Sequence, residues 1–316
     1  MIEDLVSTII PVFNRAPMLR EAVASVLAQT WRPIEIIIVD DGSTDDDTPA
    51  AIRELAAKHP EVRSTRIANG GPGVAREAGR QLARGELIQY LDSDDLLLPR
   101  KFELQVAALR AKPDAGVAYG LTRYRNAAGE EIECTWKQAN QRQETILPSF
   151  LIARWWETAT PLYRRPVTDA AGPWTTLRLE EDWEYDCRIG ALGMHLAYVD
   201  DFVAEHRDHS DNRLSRGAAR DRWRLEQRAQ AHELIASHAL RARIPQSSPE
   251  MRHFARELFH LARQCGAAGL ADESRTLLGT ARRIAPRWDL TLYAAAARTL
   301  GWTRAGRLSM IRERLG

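Results

Sequence analysis

Cysteine is scarce. Three residues, Cys134, Cys187 and Cys265, lie far apart in a chain of 316. An odd number at such spacing excludes a disulfide framework and a cysteine-based zinc site, and it fits a reducing compartment. Lysine is nearly missing as well, with Lys58, Lys101, Lys112 and Lys137 the only four. No run of about 18 apolar residues occurs, so no transmembrane helix is expected. Glu3 and Asp4 stand where a signal peptide would carry Lys or Arg. The expected location is therefore cytoplasmic, with peripheral attachment at the inner face of the membrane as its one elaboration. No nucleic-acid partner is expected.

The composition that remains is that of a folded protein. Hydrophobic residues make up 44% and charged residues 28% of the chain, which excludes disorder throughout. At roughly 150 residues per domain, the length suggests one large domain or two smaller ones. The net charge of +1 hides an asymmetry. Residues 217–316 hold 18 Arg and no Lys against nine acidic residues, leaving the first 216 residues acidic. A solvated helical surface explains such a tail, and so does a dock for an anionic membrane or an acidic partner protein.

The first 120 residues alternate buried strands with helices. Leu5–Val12, Ile34–Val39, Val62–Ile67 and Leu87–Leu91 read as strands, because each is a short apolar or β-branched run. Met18–Thr30, Pro49–Lys58 and Val74–Arg84 read as the helices between them. Strands alternating with helices imply a mostly parallel sheet covered on both faces. Ligands of such sheets lie beyond the carboxyl ends of the strands, where this sequence places Asn14, Asp40, Asp41, Asn69 and Asp92–Asp95. Shorter strands, Ala115–Thr122 and Ala197–Val203, are expected in a mixed region rich in Trp. The tail reads as helices near 218–240, 250–266, 270–285 and 289–314, with a linker at Ile244–Pro249.

Five constellations carry chemistry. In Asp92-Ser93-Asp94-Asp95, carboxylates two residues apart leave a strand on one side, and hard oxygens at that spacing suit Mg²⁺ or Mn²⁺. An acidic loop before the next helix is the plainer explanation. Val39-Asp40-Asp41-Gly42-Ser43-Thr44-Asp45 can accept hydrogen bonds from a base or a ribose, or simply cap a helix. Asn69-Gly70-Gly71-Pro72-Gly73-Val74-Ala75-Arg76 lets backbone and Arg76 approach a phosphate, without the dinucleotide fingerprint. Glu180-Glu181-Asp182, near Trp174 and Trp183, offers a general base and aromatic surface for a sugar, or an acidic first turn of a helix. His206-Arg207-Asp208-His209 offers an imidazole for a metal and a guanidinium for a diphosphate.

In this order these segments resemble the family 2 glycosyltransferases with the GT-A fold. The residues that carry the likeness are Ile9–Arg15, Val39–Asp45, Gly73–Arg76, Leu91–Asp95, Arg164-Arg165, Gly172-Pro173-Trp174, Glu181-Asp182 and Arg207 with His209. The resemblance covers roughly residues 5–215. It implies a Rossmann-like, mostly parallel sheet flanked by helices. It also implies an inverting transferase that moves a sugar from a nucleoside-diphosphate sugar to a hydroxyl. A UDP-sugar is the favoured donor, a glycan or glycolipid the acceptor, and bacterial surface glycan or glycoconjugate synthesis the setting. By the same likeness, Pro11, Phe13 and Asp41 would hold the base, with Asn14 and Arg15 in the same segment. Asp92 would lie near the ribose, beside Ser93. Arg76 would help hold the nucleotide, Arg207 would hold the diphosphate, and Asp94 with His209 would ligate Mn²⁺ or Mg²⁺. Asp182 would be the catalytic base, with Glu181 as its competitor.

Departures from the family pattern are visible. Phe13 stands where Tyr is common, Glu77 stands where Asn usually follows the Arg, and the segment after His209 is lengthened. The expected organisation is a nucleotide-sugar-binding half at about 1–120, an acceptor half at 121–215 and an Arg-rich helical region at 216–316. A catalytically silent binding or scaffold module of the same fold is the rival reading. A phosphohydrolase would need its nucleophilic Asp after the first strand, not the fourth.

Overall fold

β1 (Ile2–Val12) opens the chain, and its last eight residues are buried, as expected of a central strand in a parallel sheet. The structure is a computed structural model and describes residues 1–133, 141–208 and 221–312. α1 (Ala16–Leu27) begins with Pro17 in its first turn and buries Leu19, Val23 and Val26 at helical spacing. β2 (Ile34–Asp40) is buried at every position. α2 (Asp47–Lys58), β3 (Val62–Arg66), α3 (Pro72–Leu82) and β4 (Gly85–Tyr90) complete the alternation. β5 (Leu96–Leu97), α4 (Lys101–Ala111), β6 (Ala115–Arg125), β7 (Glu131–Ile132), β8 (Leu162–Arg164) and α5 (Arg165–Ala171) follow. Next come α6 (Glu181–Gly190) and β9 (His195–Arg207).

Among the described residues the strands form one nine-stranded sheet in the order β3-β2-β1-β4-β8-β6-β9-β5, with β7 on β6. β3, β2, β1 and β4 are mutually parallel, with Ile10 opposite Ile38 and Ile9 opposite Tyr90. β8 runs antiparallel to both β4 and β6, so the direction changes in mid-sheet. β9 then runs parallel to β6 and ends, like β1, β2 and β4, beside the acidic motifs.

Two compact units make up the described chain. One comprises Met1–Thr145, Arg154–Thr176 and Met194–Asp211, and it contains the sheet. Its core is a cluster of Ile, Val and Leu from β1, β2, β4, α1 and α4, with Val6, Ile10, Ile36, Ile38 and Phe102 fully buried. The other comprises Ile146–Ala153, Leu177–Gly193 and Asn212–Gly316. It holds α6 and the five helices α7 (Arg222–Arg241), α8 (Pro249–Ala267), α9 (Ala271–Ile284), α10 (Trp288–Leu300) and α11 (Trp302–Arg312). α8 starts with a Ser248 cap, whose hydroxyl accepts from the Met251 N–H, and with Pro249 in its first turn. Phe254, Leu258, Leu261, Leu277, Leu278 and Ile284 are buried between α8, α9 and their neighbours.

The single helix expected over 289–314 is two helices. Gly301 separates α10 from α11 at φ +82°, a conformation that a side chain resists. Cys187 and Cys265 are buried and unbridged, and Cys134 lies outside the described residues. Among the described residues no helix is long and apolar enough to cross a membrane.

Candidate functional site

Every parallel strand of the sheet ends in residues with chemistry. Beyond β1 lie Phe13, Asn14 and Arg15. Phe13 exposes 41% of its surface, whereas Pro11, two residues earlier, is buried in the strand opposite Val39. Asn14 sits at φ +52°, a left-handed conformation that Asn tolerates. Its Oδ1 accepts from the N–H groups of Thr44 (2.8 Å) and Asp45 (3.2 Å), and its Nδ2 donates to Thr44 Oγ1 (2.9 Å). The loop after β1 is thereby stitched to the loop after β2.

Asp41 follows β2 and is buried. Its two carboxylate oxygens accept from the N–H groups of Gly70 (2.7 Å) and Gly71 (2.9 Å), and its carbonyl accepts from Asn69 Nδ2. The side chain expected to meet a base thus braces the glycine turn after β3. Gly42 makes the approach possible: at φ +74°, a Cβ there would lie 2.9 Å from the Asn69 nitrogen. A cleft of about 670 Å³ opens beside this loop, lined by Ser43, Thr44, Asp45, Arg53 and Arg66.

The acidic motif after β4 divides its carboxylates among three partners. Asp92 Oδ1 accepts from Arg76 Nη2 at 2.6 Å. Arg76 is buried and lies 4.8 Å over the Trp174 ring. Asp94 Oδ2 accepts from Arg15 Nη1 at 2.5 Å. Asp95 is buried, 3.0 Å from His206 Nδ1, and accepts from the Arg207 N–H. Burial pushes the Asp95 carboxyl up to about 6; His206 opposes that shift, and the charges of Asp94 and Asp92 add to it. Ser93 is buried between the acids. Arg207 Nε donates to the Asp94 carbonyl at 2.9 Å, and its Nη1 pairs with Glu21. Asp92, Asp94, Arg15, Arg76 and Arg207 therefore belong to one charged cluster at the strand ends. His209 lies outside the described residues.

Mg²⁺ and Mn²⁺ bind through one or two carboxylates plus substrate phosphates and water. Among the described residues no group of three or more His, Cys, Asp or Glu forms a cage for a metal. Asp92 and Asp94 nonetheless supply hard oxygens at a single strand end. That set fits an ion whose shell is completed by a diphosphate, and a guanidinium now neutralises each carboxylate.

Some sequence expectations take another form. Trp174 was a candidate sugar platform; it is buried, packed 4.9 Å from the Tyr90 ring and under Arg76. Glu77, the departure beside Arg76, accepts from Arg80 and from the Trp174 N–H, so it fastens this packing. Arg80 and Gln81 hold the Glu77 carboxyl below its usual range although burial opposes this. Arg164 and Arg165 donate to backbone carbonyls of Leu109, Ala115 and Gly85.

The helical unit holds the other acids. Asp182 lies in the first turn of α6 and is half-buried, with one oxygen accepting from the Trp183 N–H at 2.7 Å. Glu181 is buried. Glu180 precedes the helix at φ +60° and is gripped from α7, by Arg228 Nε at 2.9 Å and His232 Nδ1 at 3.0 Å. Burial raises the Glu180 pKa, but His232 and Arg228 outweigh it and hold the carboxyl below its usual range. His232 in turn stacks on Phe254, ring centroids 5.5 Å apart, with the Trp183 ring edge-on at 5.3 Å. Trp183 Nε1 donates to the Phe150 carbonyl. Sequence reading did not find this clamp, because nothing local links Glu180 to residues 48 and 52 positions later. The Asp95–His206 pair escaped for the same reason.

Comparison with known proteins places this arrangement. Over 130 residues the chain is 40% identical to an uncharacterized glycosyltransferase of Rickettsia felis, covering 40% of this chain and 21% of that protein. It is 39% identical over 97 residues to the uncharacterized glycosyltransferase YibD of Escherichia coli, covering 31% of this chain and 28% of the other. The match thus spans only about a quarter of these relatives. Among solved structures, S. aureus TarS 1-349 in complex with UDP-GlcNAc superposes with a TM-score of 0.71 at 18% identity, over 98% of this chain and 91% of that one. The mannosyltransferase PcManGT of Pyrobaculum calidifontis, in complex with GDP-Man and Mn²⁺, gives 0.53 at 18%, over 96% and 84%. The fold is therefore that of the GT-A glycosyltransferases. The family model described as glycosyl transferase family 2 matches residues 7–165, half of the chain and all four parallel strand ends, and the chain belongs to that family.

Proposed function

We propose that the protein transfers a sugar from a nucleoside-diphosphate sugar to an acceptor hydroxyl, with inversion at the anomeric carbon. The observation that carries this reading is the charged cluster after β4, where Asp92 and Asp94 meet Arg76 and Arg15 at 2.6 and 2.5 Å. Paired carboxylates and guanidinium groups suit a donor that is itself a diphosphate bound through a divalent cation. TarS was solved with UDP-GlcNAc and PcManGT with GDP-Man. The larger overlap with TarS supports a UDP-sugar as donor.

In this proposal Phe13 stacks on the base, while Pro11, Asn14 and Asp41 shape the base pocket. Asp92 and Ser93 lie at the ribose. Arg76 and Arg207 draw charge from the diphosphate as it leaves. Asp94, with His209, would hold Mn²⁺ or Mg²⁺. The ion would supply Lewis-acid neutralisation of the leaving group. On donor binding, Arg15 releases Asp94 and turns to the phosphate. Asp182 takes the proton from the acceptor oxygen, and a single displacement inverts the anomeric centre. No covalent enzyme intermediate is needed.

The division proposed is a catalytic part, residues 1–215, and an Arg-rich helical region, 216–316, acting in glycan or glycolipid assembly at the cytoplasmic face of a membrane. A thermal-shift screen of nucleoside diphosphates with and without Mn²⁺ tests the reading, since ligand bound only by the native state raises its stability. The expected result is a Mn²⁺-dependent rise with UDP exceeding that with other bases. No rise with any nucleotide, together with no donor hydrolysis, would favour the silent-module reading.

A further inference from the structure

The last three helices carry a surface unlike the rest of the helical unit. From Ala271 to Arg312 the sequence holds eight Arg against three acids, Asp272, Glu273 and Asp289. Asp272 pairs with Arg275 at 2.8 Å at the start of α9, and Asp289 pairs with Arg287 at 2.7 Å, which leaves Arg282 and Arg283 as the excess charge at the end of α9. Arg282 and Arg283 in the last turn of α9 are exposed. With Arg287, Pro286, Trp288 and Thr291 they line a cleft of about 570 Å³ where α9 hands over to α10. Beside this cleft Trp288 is 77% exposed and Leu292 59% exposed. The two are four residues apart, so they share one face of α10. The opposite face of that helix buries Leu290, Tyr293, Ala294 and Ala297.

An indole standing in solvent beside a Leu and three guanidinium groups is poorly explained by folding. Trp, amphipathic in itself, favours the layer between headgroups and acyl chains, and Arg favours anionic headgroups. An acidic soluble protein would satisfy Arg282 and Arg283 but leave Trp288 and Leu292 unused, whereas an apolar protein partner would offer nothing to Arg282 and Arg283. We propose that the α9–α10 corner docks the protein on an anionic lipid bilayer. Headgroup phosphates enter the cleft beside Arg282 and Arg283, and Trp288 and Leu292 enter the interfacial layer. The assignment deepens the proposed membrane setting and is independent of the donor chemistry.

Co-sedimentation of the full chain with lipid vesicles tests it. Binding to vesicles containing phosphatidylglycerol is expected, with little binding to phosphatidylcholine alone. Arg282→Gln with Arg283→Gln should weaken partitioning by about 10-fold or more, and Trp288→Ser with Leu292→Ser should do likewise. A control pair with the same loss of charge, Arg252→Gln with Arg256→Gln on exposed positions of α8, should cost much less. All these positions are exposed, so the variants should melt like the parent, and nucleoside diphosphate affinity should not change. Equal binding to both vesicle types would overturn the proposal, as would equal loss in the control pair. So would concentration-dependent dimerisation abolished by Trp288→Ser with no vesicle binding, which would assign the face to a second copy.

Discussion

Arg15 Nη1 lies 2.5 Å from Asp94 Oδ2, so the residue after the first strand neutralises the carboxylate proposed to hold the metal. The pair is largely buried, the side chains being 22% and 12% exposed. A divalent ion must therefore compete with a guanidinium for Asp94. Arg15→Gln should tighten Mn²⁺ binding in the absence of nucleotide by roughly 10-fold, the ~1.4 kcal/mol of one relieved contact, and weaken nucleoside diphosphate binding. Electron paramagnetic resonance of free Mn²⁺ reads the first effect and calorimetry the second. Unchanged Mn²⁺ affinity would mean that Asp94 is not the ligand.

Asp94→Ala should lower metal-dependent nucleoside diphosphate affinity by about 10-fold or more. Equal calorimetric affinity in the variant, with metal present, would remove Asp94 from the site.

Asp182→Asn keeps the shape of the side chain and removes its basicity. Transfer should fall by at least ~10²-fold while donor and metal affinity stay nearly unchanged. Glu181 is the competing base, but it is buried, whereas Asp182 is half-buried in the same turn. Glu181→Gln should therefore cost less transfer. A defect of Asp182→Asn confined to donor affinity would reverse this assignment.

The Glu180 clamp ties α7 to the residue two positions before Asp182, at 2.9 Å from Arg228 and 3.0 Å from His232. His232→Phe keeps a ring on Phe254 and removes the imidazole nitrogen that lies 3.0 Å from Glu180 Oε2. If Glu180 positions the start of α6, this variant should lower kcat about 10-fold with donor KM unchanged, and melt within a few degrees of the parent. Equal changes in kcat and donor KM would point to a general loosening instead.

Glu184 is buried on α6, 2.6 Å from His238 Nε2 and 2.6 Å from Arg188 Nη2. Burial raises its pKa, but His238 and Arg188 outweigh this and hold it below its ordinary 4.5. A lowered folded-state pKa means stability fully present above the unfolded value and lost as pH falls through the lower, folded one. Glu184→Gln should remove that part of the acid destabilisation below about pH 4.5, seen as a flatter plot of melting temperature against pH. Glu184→Ala removes the acceptor that His238 Nε2 and Arg188 Nη2 share and should cost about 1–3 kcal/mol near neutral pH.

Alternation of strands and helices, the strand ends that would carry chemistry and the helical tail were all legible in the residues. Strings such as Ile34–Val39 admit few structures besides a buried strand, and period and turn chemistry are local properties. The break at Gly301 was missed because Trp288–Arg312 keeps an apolar pattern through a single glycine. What the sequence determined by itself was the parallel half of the sheet, the family, and the presence of Asp92, Asp94 and Asp182. Tertiary structure alone decided their partners. It gave Asp94 to Arg15, 79 residues away, Asp95 to His206, 111 residues away, and Asp41 to the backbone of Gly70 and Gly71. It also buried Trp174 under Arg76 and set Arg228 and His232 on Glu180. The physical reason is that an ion pair or a buried ring depends on distance in space, and sequence spacing encodes distance only within one helix or strand.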